Sequence, residues 1–103
     1  MNILVTGDSK YNNWNEFRDS MFKAVAEIQY NNVVPTKDLV FFSSGAMAKA
    51  FARKNDVPCL DFDNKWETVD EAIIFNSGKP KVEERLVEIK SHKIPVHEIK
   101  IAP

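Results

Sequence analysis

The chain has 103 residues, 44% of them hydrophobic, and its 14 basic and 15 acidic residues give a net charge of −1. These values fit one globular domain over residues 1–103 and exclude a disordered chain. They also argue against nucleic acid as a partner, which calls for a basic excess. No apolar run approaches the roughly 20 residues of a membrane span, and the single cysteine, Cys59, has no disulfide partner, so we expect a cytoplasmic protein with no membrane partner.

The first half of the chain predicts two strands and two helices. Residues 2–6 form a short apolar run, which is typical of a strand buried on both faces. Apolar residues after Asn13 recur every three or four positions and predict a helix, with Asn13 as its cap and Glu16 completing a capping box. Residues 38–42 predict the second strand, and alanine-rich residues 46–54 the second helix.

The second half predicts three more strands and one helix. Residues 58–62 and 72–75 are short apolar runs that predict strands. A helix is expected after residues 76–80, and residues 94–101 alternate in part, which favours an edge strand.

Alternating strands and helices predict an α/β fold, a Rossmann-like three-layer sandwich around a five-stranded, mostly parallel sheet. Right-handed crossovers favour the strand order 3-2-1-4-5. The order would then reverse between the first and fourth strands, where such sheets bind their ligands.

Three polar loops each follow a predicted strand and precede a helix: residues 7–13, 43–45 and 76–80. Helix N-termini carry unpaired N–H groups and a dipole that favours anions. We therefore expect the loops to surround one cleft for a phosphate-bearing ligand. The expected ligand-binding residues are Gly7, Asp8, Ser9, Lys10, Tyr11, Ser43, Ser44, Gly45, Trp66, Asn76, Ser77, Gly78 and Lys79.

Each of these residues also has a structural interpretation. Glycine or serine at such a junction is often only a turn or a cap, and Lys10 and Lys79 could be solvated. Tyr11 could stack on a base or cover the helix end. Trp66 could wall a base pocket, cover the sheet edge or contact a partner.

The same segments resemble the SLOG superfamily, a Rossmann-like group that includes the LOG phosphoribohydrolases and DprA-type proteins. The opening MNILVTGDSKYNN is similar to that family's strand, glycine and aromatic loop, with Gly7 and Tyr11 matching. Val57-Pro58 followed by Trp66, and the glycine loop at residues 75–78, also resemble it. The resemblance implies a pocket for a nucleotide or nucleotide-derived signal, and such proteins often associate, so a homodimer is also considered.

The LOG signature, Pro-Gly-Gly-x-Gly-Thr-x-x-Glu, falls on residues 76–84 and matches only Gly78 and Glu84. Three function classes therefore stay open. The preferred one is non-catalytic sensing or sequestration of a nucleotide-derived molecule, with no cofactor and no metal. The second is an interaction or inhibitor protein of phage or mobile-element type that binds a protein target after losing its pocket. The third is a phosphoribohydrolase-like enzyme with Glu84 as acid or base.

Overall fold

The sheet has five parallel strands in the order β3-β2-β1-β4-β5, in a computed structural model that describes residues 1–103. The strands are β1 (Asn2–Gly7), β2 (Val40–Phe42), β3 (Cys59–Leu60), β4 (Glu71–Asn76) and β5 (Val96–Lys100). The helices are α1 (Trp14–Asn32), α2 (Ala46–Lys54) and α3 (Pro80–Ser91), with 3-10 turns at Thr36–Asp38 and Trp66–Thr68. The predicted α/β class, the strand order and the edge position of β5 are confirmed.

The second and third strands are shorter than the sequence predicts. The chain enters β2 through the 3-10 turn that follows Pro35, so residues 38 and 39 lie outside the strand. The third strand keeps only two residues, which pair with Phe41 and Phe42 of β2. Asp61, expected within β3, is exposed and its carboxylate lies 3.1 Å from Lys49 Nζ on α2.

Two apolar layers hold the helices against the sheet. Helices α1 and α2 pack on one face and α3 packs on the other. The first layer includes the buried residues Ile3, Phe17, Met21, Ile28, Phe41, Phe51 and Ile73, and the second includes Leu4, Ile74, Val82, Leu86 and Ile89. No helix is both long and apolar enough to cross a membrane.

Helix α1 begins at the predicted cap. The Asn13 side chain accepts a hydrogen bond from the Glu16 N–H at 3.1 Å. The reciprocal bond of a capping box is not formed, because the Glu16 carboxylate accepts from the Tyr11 hydroxyl instead. The loop after β1 is thereby tied to the first turn of α1.

Candidate functional site

The carboxyl end of β1 extends beyond its neighbour β2. Leu4 lies opposite Phe42, the last residue of β2. The rest of β1 continues along β4 alone, as far as the pairing of Gly7 with Phe75. Beyond Phe42, β1 therefore has no neighbouring strand on the β2 side, and a cleft opens there.

A cavity of about 450 Å³ lies at this end of the sheet. It is lined by the last residues of β1 and the loop after it, by the loop after β2 and the first turn of α2, and by Phe62, Phe75 and Arg85. Small-molecule sites in proteins usually measure about 300–1,000 Å³. The cavity thus has the position and the size of a ligand site in a parallel α/β fold.

The cavity separates the predicted ligand-binding residues into two groups. Those that line it are Gly7, Asp8, Ser9, Tyr11, Ser43, Ser44 and Gly45. Those that do not are Lys10, Trp66, Asn76, Ser77, Gly78 and Lys79. The loops after β1 and β2 therefore meet as expected, whereas the loop after β4 does not line the cavity, contrary to the expectation.

The loop after β4 is occupied by its own hydrogen bonds. The Asn76 side chain donates to Glu83 at 3.2 Å and to Glu98 at 2.8 Å, and it accepts from the Gly78 N–H at 2.8 Å. Asn76 and Ser77 are buried. These contacts fix a turn in which Gly78 takes a φ of +81°, a conformation that favours glycine.

An ion pair links this loop to the cavity wall. Lys79 Nζ lies 2.9 Å from Asp8 Oδ2, and the Asp8 side chain is only 8% exposed. Asp8 Oδ1 also accepts the N–H of Lys10 at 2.8 Å. These bonds, first that of the Lys10 N–H and then those of the Lys79 and Ser77 side chains, lower the pKa of Asp8 to about 2.

This depressed pKa predicts a pH-dependent stability. The ordinary value is 3.8, so the ionised carboxylate stabilises the folded state above about pH 4, and that contribution is lost as pH falls from about 4 to 2. Asp8→Asn should be less stable than wild type near neutral pH, with the difference shrinking through that window. Urea unfolding of both proteins across this pH range measures the difference in the free energy of unfolding. The stability of Lys79→Gln should lie between those of wild type and Asp8→Asn. A difference that does not change with pH would contradict this account.

Helix α2 begins without a side-chain cap. Gly45 occupies the N-cap position, and the first turn contains no acidic residue. The Lys49 N–H bonds to Gly45, but the N–H groups of Ala46, Met47 and Ala48 donate to no group of the chain. All three residues line the cavity, so unpaired donors and the positive end of the helix dipole border it. By contrast, α1 is capped by Asn13 and α3 begins with proline.

Arg85, on α3, also lines the cavity, and its Nη1 pairs with Glu88 Oε1 on the same helix at 3.1 Å. Its guanidinium carbon lies 5.9 Å from the centre of the Phe62 ring and 5.7 Å from that of Trp66. Trp66 in turn stacks on His92 at 4.6 Å and meets Phe62 edge-on at 4.9 Å. Trp66 therefore packs against Arg85 and Phe62, which line the cavity, but does not line the cavity itself.

An aromatic wall completes the cavity. The Tyr11 ring stacks on Phe75 at 5.6 Å, and Phe75 stacks on Phe17 at 4.7 Å. Burial, together with the hydrogen bond to Glu16, raises the pKa of Tyr11. The phenol thus stays protonated and bonded to Glu16, and what Tyr11 contributes to the wall is its ring.

Sequence reasoning missed Arg85 and Phe62. Arg85 lies beside the apolar stripe of α3 that contains Val82, Leu86 and Ile89, so a partly buried position was readable from the periodicity. Its approach to the cavity was not readable, because it depends on the packing of α3 against the segment around Trp66.

The fold defines a parallel α/β domain of Rossmann-like architecture. Comparisons of the chain with protein-family models, with curated proteins and with solved structures find no match.

Proposed function

We propose that the protein binds a phosphate-bearing, nucleotide-derived small molecule in the cavity at the carboxyl ends of β1 and β2. The observation that carries this proposal is that the unpaired amides of α2 and Arg85, whose guanidinium also pairs with the part-exposed Glu88 carboxylate at 3.1 Å, line one cavity. Unpaired helix N-termini bind phosphate through their N–H groups and their dipole. Arginine adds a planar pair of donors that matches phosphate oxygens.

The polar groups around α2 support an anion at that end. Ser43 and Ser44 line the cavity beside Gly45, and Ser9 lines it from the loop after β1. The Ser43 hydroxyl already accepts the Gly45 N–H at 3.2 Å, so its own hydrogen is free to be donated. Serine hydroxyls and backbone amides together are typical phosphate ligands.

The apolar residues that line the cavity favour a ligand with a flat, uncharged part. Tyr11, Phe62 and Phe75 are aromatic residues that line the cavity, and Met47 adds a flexible apolar side chain. A nucleotide combines such a flat base with a phosphate. We propose that the chain is a SLOG-like binding domain, as its sequence resemblance implies, and that its phosphate site lies at α2, not at the glycine loop before α3.

The alternative functions find less support. Glu84, the acid or base of the enzymatic alternative, is exposed on α3 and does not line the cavity. The pocket-less alternative expects side chains to fill the end of the sheet, where the cavity of about 450 Å³ lies.

Arg85→Gln should weaken nucleotide binding at least tenfold, since a hydrogen bond to a charged group contributes about 1.5–3 kcal/mol. A thermal-shift screen of nucleoside mono-, di- and triphosphates identifies the ligand, and calorimetry then compares dissociation constants. The matched control is Arg53→Gln, which removes an exposed arginine from the last turn of α2. It should leave the dissociation constant unchanged.

Dissociation constants, not melting temperatures, are compared because Arg85 also packs on two aromatic rings, and its loss is expected to cost about 0.5–1 kcal/mol of stability. Equal losses of affinity in the two variants would contradict the proposal, and so would a screen in which no nucleotide stabilises the protein.

A further inference from the structure

Asp8 places a carboxylate in a cavity whose other polar groups are mainly donors. Its oxygens are held by the Lys10 N–H at 2.8 Å and by Lys79 Nζ at 2.9 Å. A carboxylate has about four acceptor positions. Asp8 is therefore fixed in place, lines the cavity, and still has unused acceptor positions.

The cavity therefore offers two kinds of chemistry, donors on α2 and an acceptor at Asp8. Around the start of α2, amides and hydroxyls offer hydrogen bonds to an anion. An ionised carboxylate only accepts hydrogen bonds, so Asp8 suits a hydroxyl that donates and does not suit a phosphate, which also only accepts.

We propose, building on the function proposed above, that Asp8 accepts a hydrogen bond from a sugar hydroxyl of the ligand while a single terminal phosphate binds at the first turn of α2. The ligand class is then a ribosyl phosphate with one anionic end. A nucleotide carries both a phosphate and sugar hydroxyls, which matches a cavity lined both by the donors of α2 and by the Asp8 carboxylate.

Two small probes test this without knowledge of the base. Methyl phosphate has the phosphate monoester but no hydroxyl, and ribose 5-phosphate has both. Calorimetry or NMR titration gives their dissociation constants for wild type, for Asp8→Asn and for the control Asp61→Asn. Asp61 is an exposed acid, paired with Lys49, that does not line the cavity.

Wild type should bind ribose 5-phosphate at least tenfold more tightly than methyl phosphate. Asp8→Asn should lose most of that preference and bind methyl phosphate at least as tightly as wild type, because methyl phosphate has no hydroxyl that could donate to Asp8. Asp61→Asn should retain the preference.

If Asp8→Asn fails to fold, the affinities of wild type for the two probes still test the contact between Asp8 and the sugar hydroxyl. Equal affinity of wild type for the two probes would overturn the sugar contact and leave the phosphate site standing. A preference that persists unchanged in Asp8→Asn would also overturn it. If neither probe binds at millimolar concentration, the proposed function itself fails, and this inference with it.

Discussion

Replacing Gly7 with alanine is expected to destabilise the protein by roughly 2–4 kcal/mol. Gly7 has a φ of +156°, and a Cβ at this position would lie 2.5 Å from the carbonyl oxygen of Phe75 and 2.9 Å from its Cβ. Both residues belong to the central pair of strands, β1 and β4. Relief would require the two strands to move apart, so the collision cannot be absorbed by a side-chain rotation.

The other two glycines are matched controls for this effect. A Cβ on Gly45 would meet only the Ser43 hydroxyl at 3.5 Å, and one on Gly78 would meet nothing within 4 Å. Gly45→Ala and Gly78→Ala should each cost about 1 kcal/mol, from a weaker cap and from a positive φ respectively. Urea denaturation of the three variants measures the difference. Equal costs at all three positions would contradict the close approach of β1 to β4.

Gly45→Asp is expected to stabilise the fold slightly while it lowers nucleotide affinity about 10- to 100-fold. Gly45 has φ −76° and ψ 140°, a conformation that suits an aspartate cap. An aspartate there would accept from the free amides of α2 and favour its dipole, for a gain of about 0.5–1 kcal/mol. The same carboxylate would occupy the phosphate donors and repel the ligand.

A rise in stability together with a fall in affinity would distinguish a ligand site from an ordinary helix N-terminus, where a cap changes stability alone. Gly45→Asn is the matched control, because it caps the amides without adding charge, and it should reduce affinity less than Gly45→Asp. Thermal unfolding and calorimetry on the same samples provide both quantities. Retention of full affinity by Gly45→Asp would exclude α2 as the phosphate site.

The strand order was predictable because the apolar runs are short, continuous and separated by helical patterns. Residues 2–6 and 72–75 have no polar interruption, as expected of central strands buried on both faces. The ends of β2 and β3 were less predictable, because Leu39 before β2 and Phe62 after β3 are apolar although both lie outside the sheet pairing.

Which helix N-terminus borders the cavity could not be predicted from local sequence. The glycine and serine residues before α2 and α3 look alike, and the difference arises from Asn76, whose partner Glu98 is 22 residues away on β5. Arg85 and Phe62 likewise converge through tertiary packing around Trp66. Such long-range contacts leave no short-range pattern in the chain.

The most direct test of the proposed site is an ¹⁵N-resolved NMR titration of the wild-type protein with the nucleotide that gives the largest thermal shift. We expect the largest shift changes at the amides of Ala46, Met47 and Ala48, with a further change at the Arg85 side chain. Changes centred on residues 78–83 at the start of α3, or no saturable change at the start of α2, would contradict the proposed phosphate site.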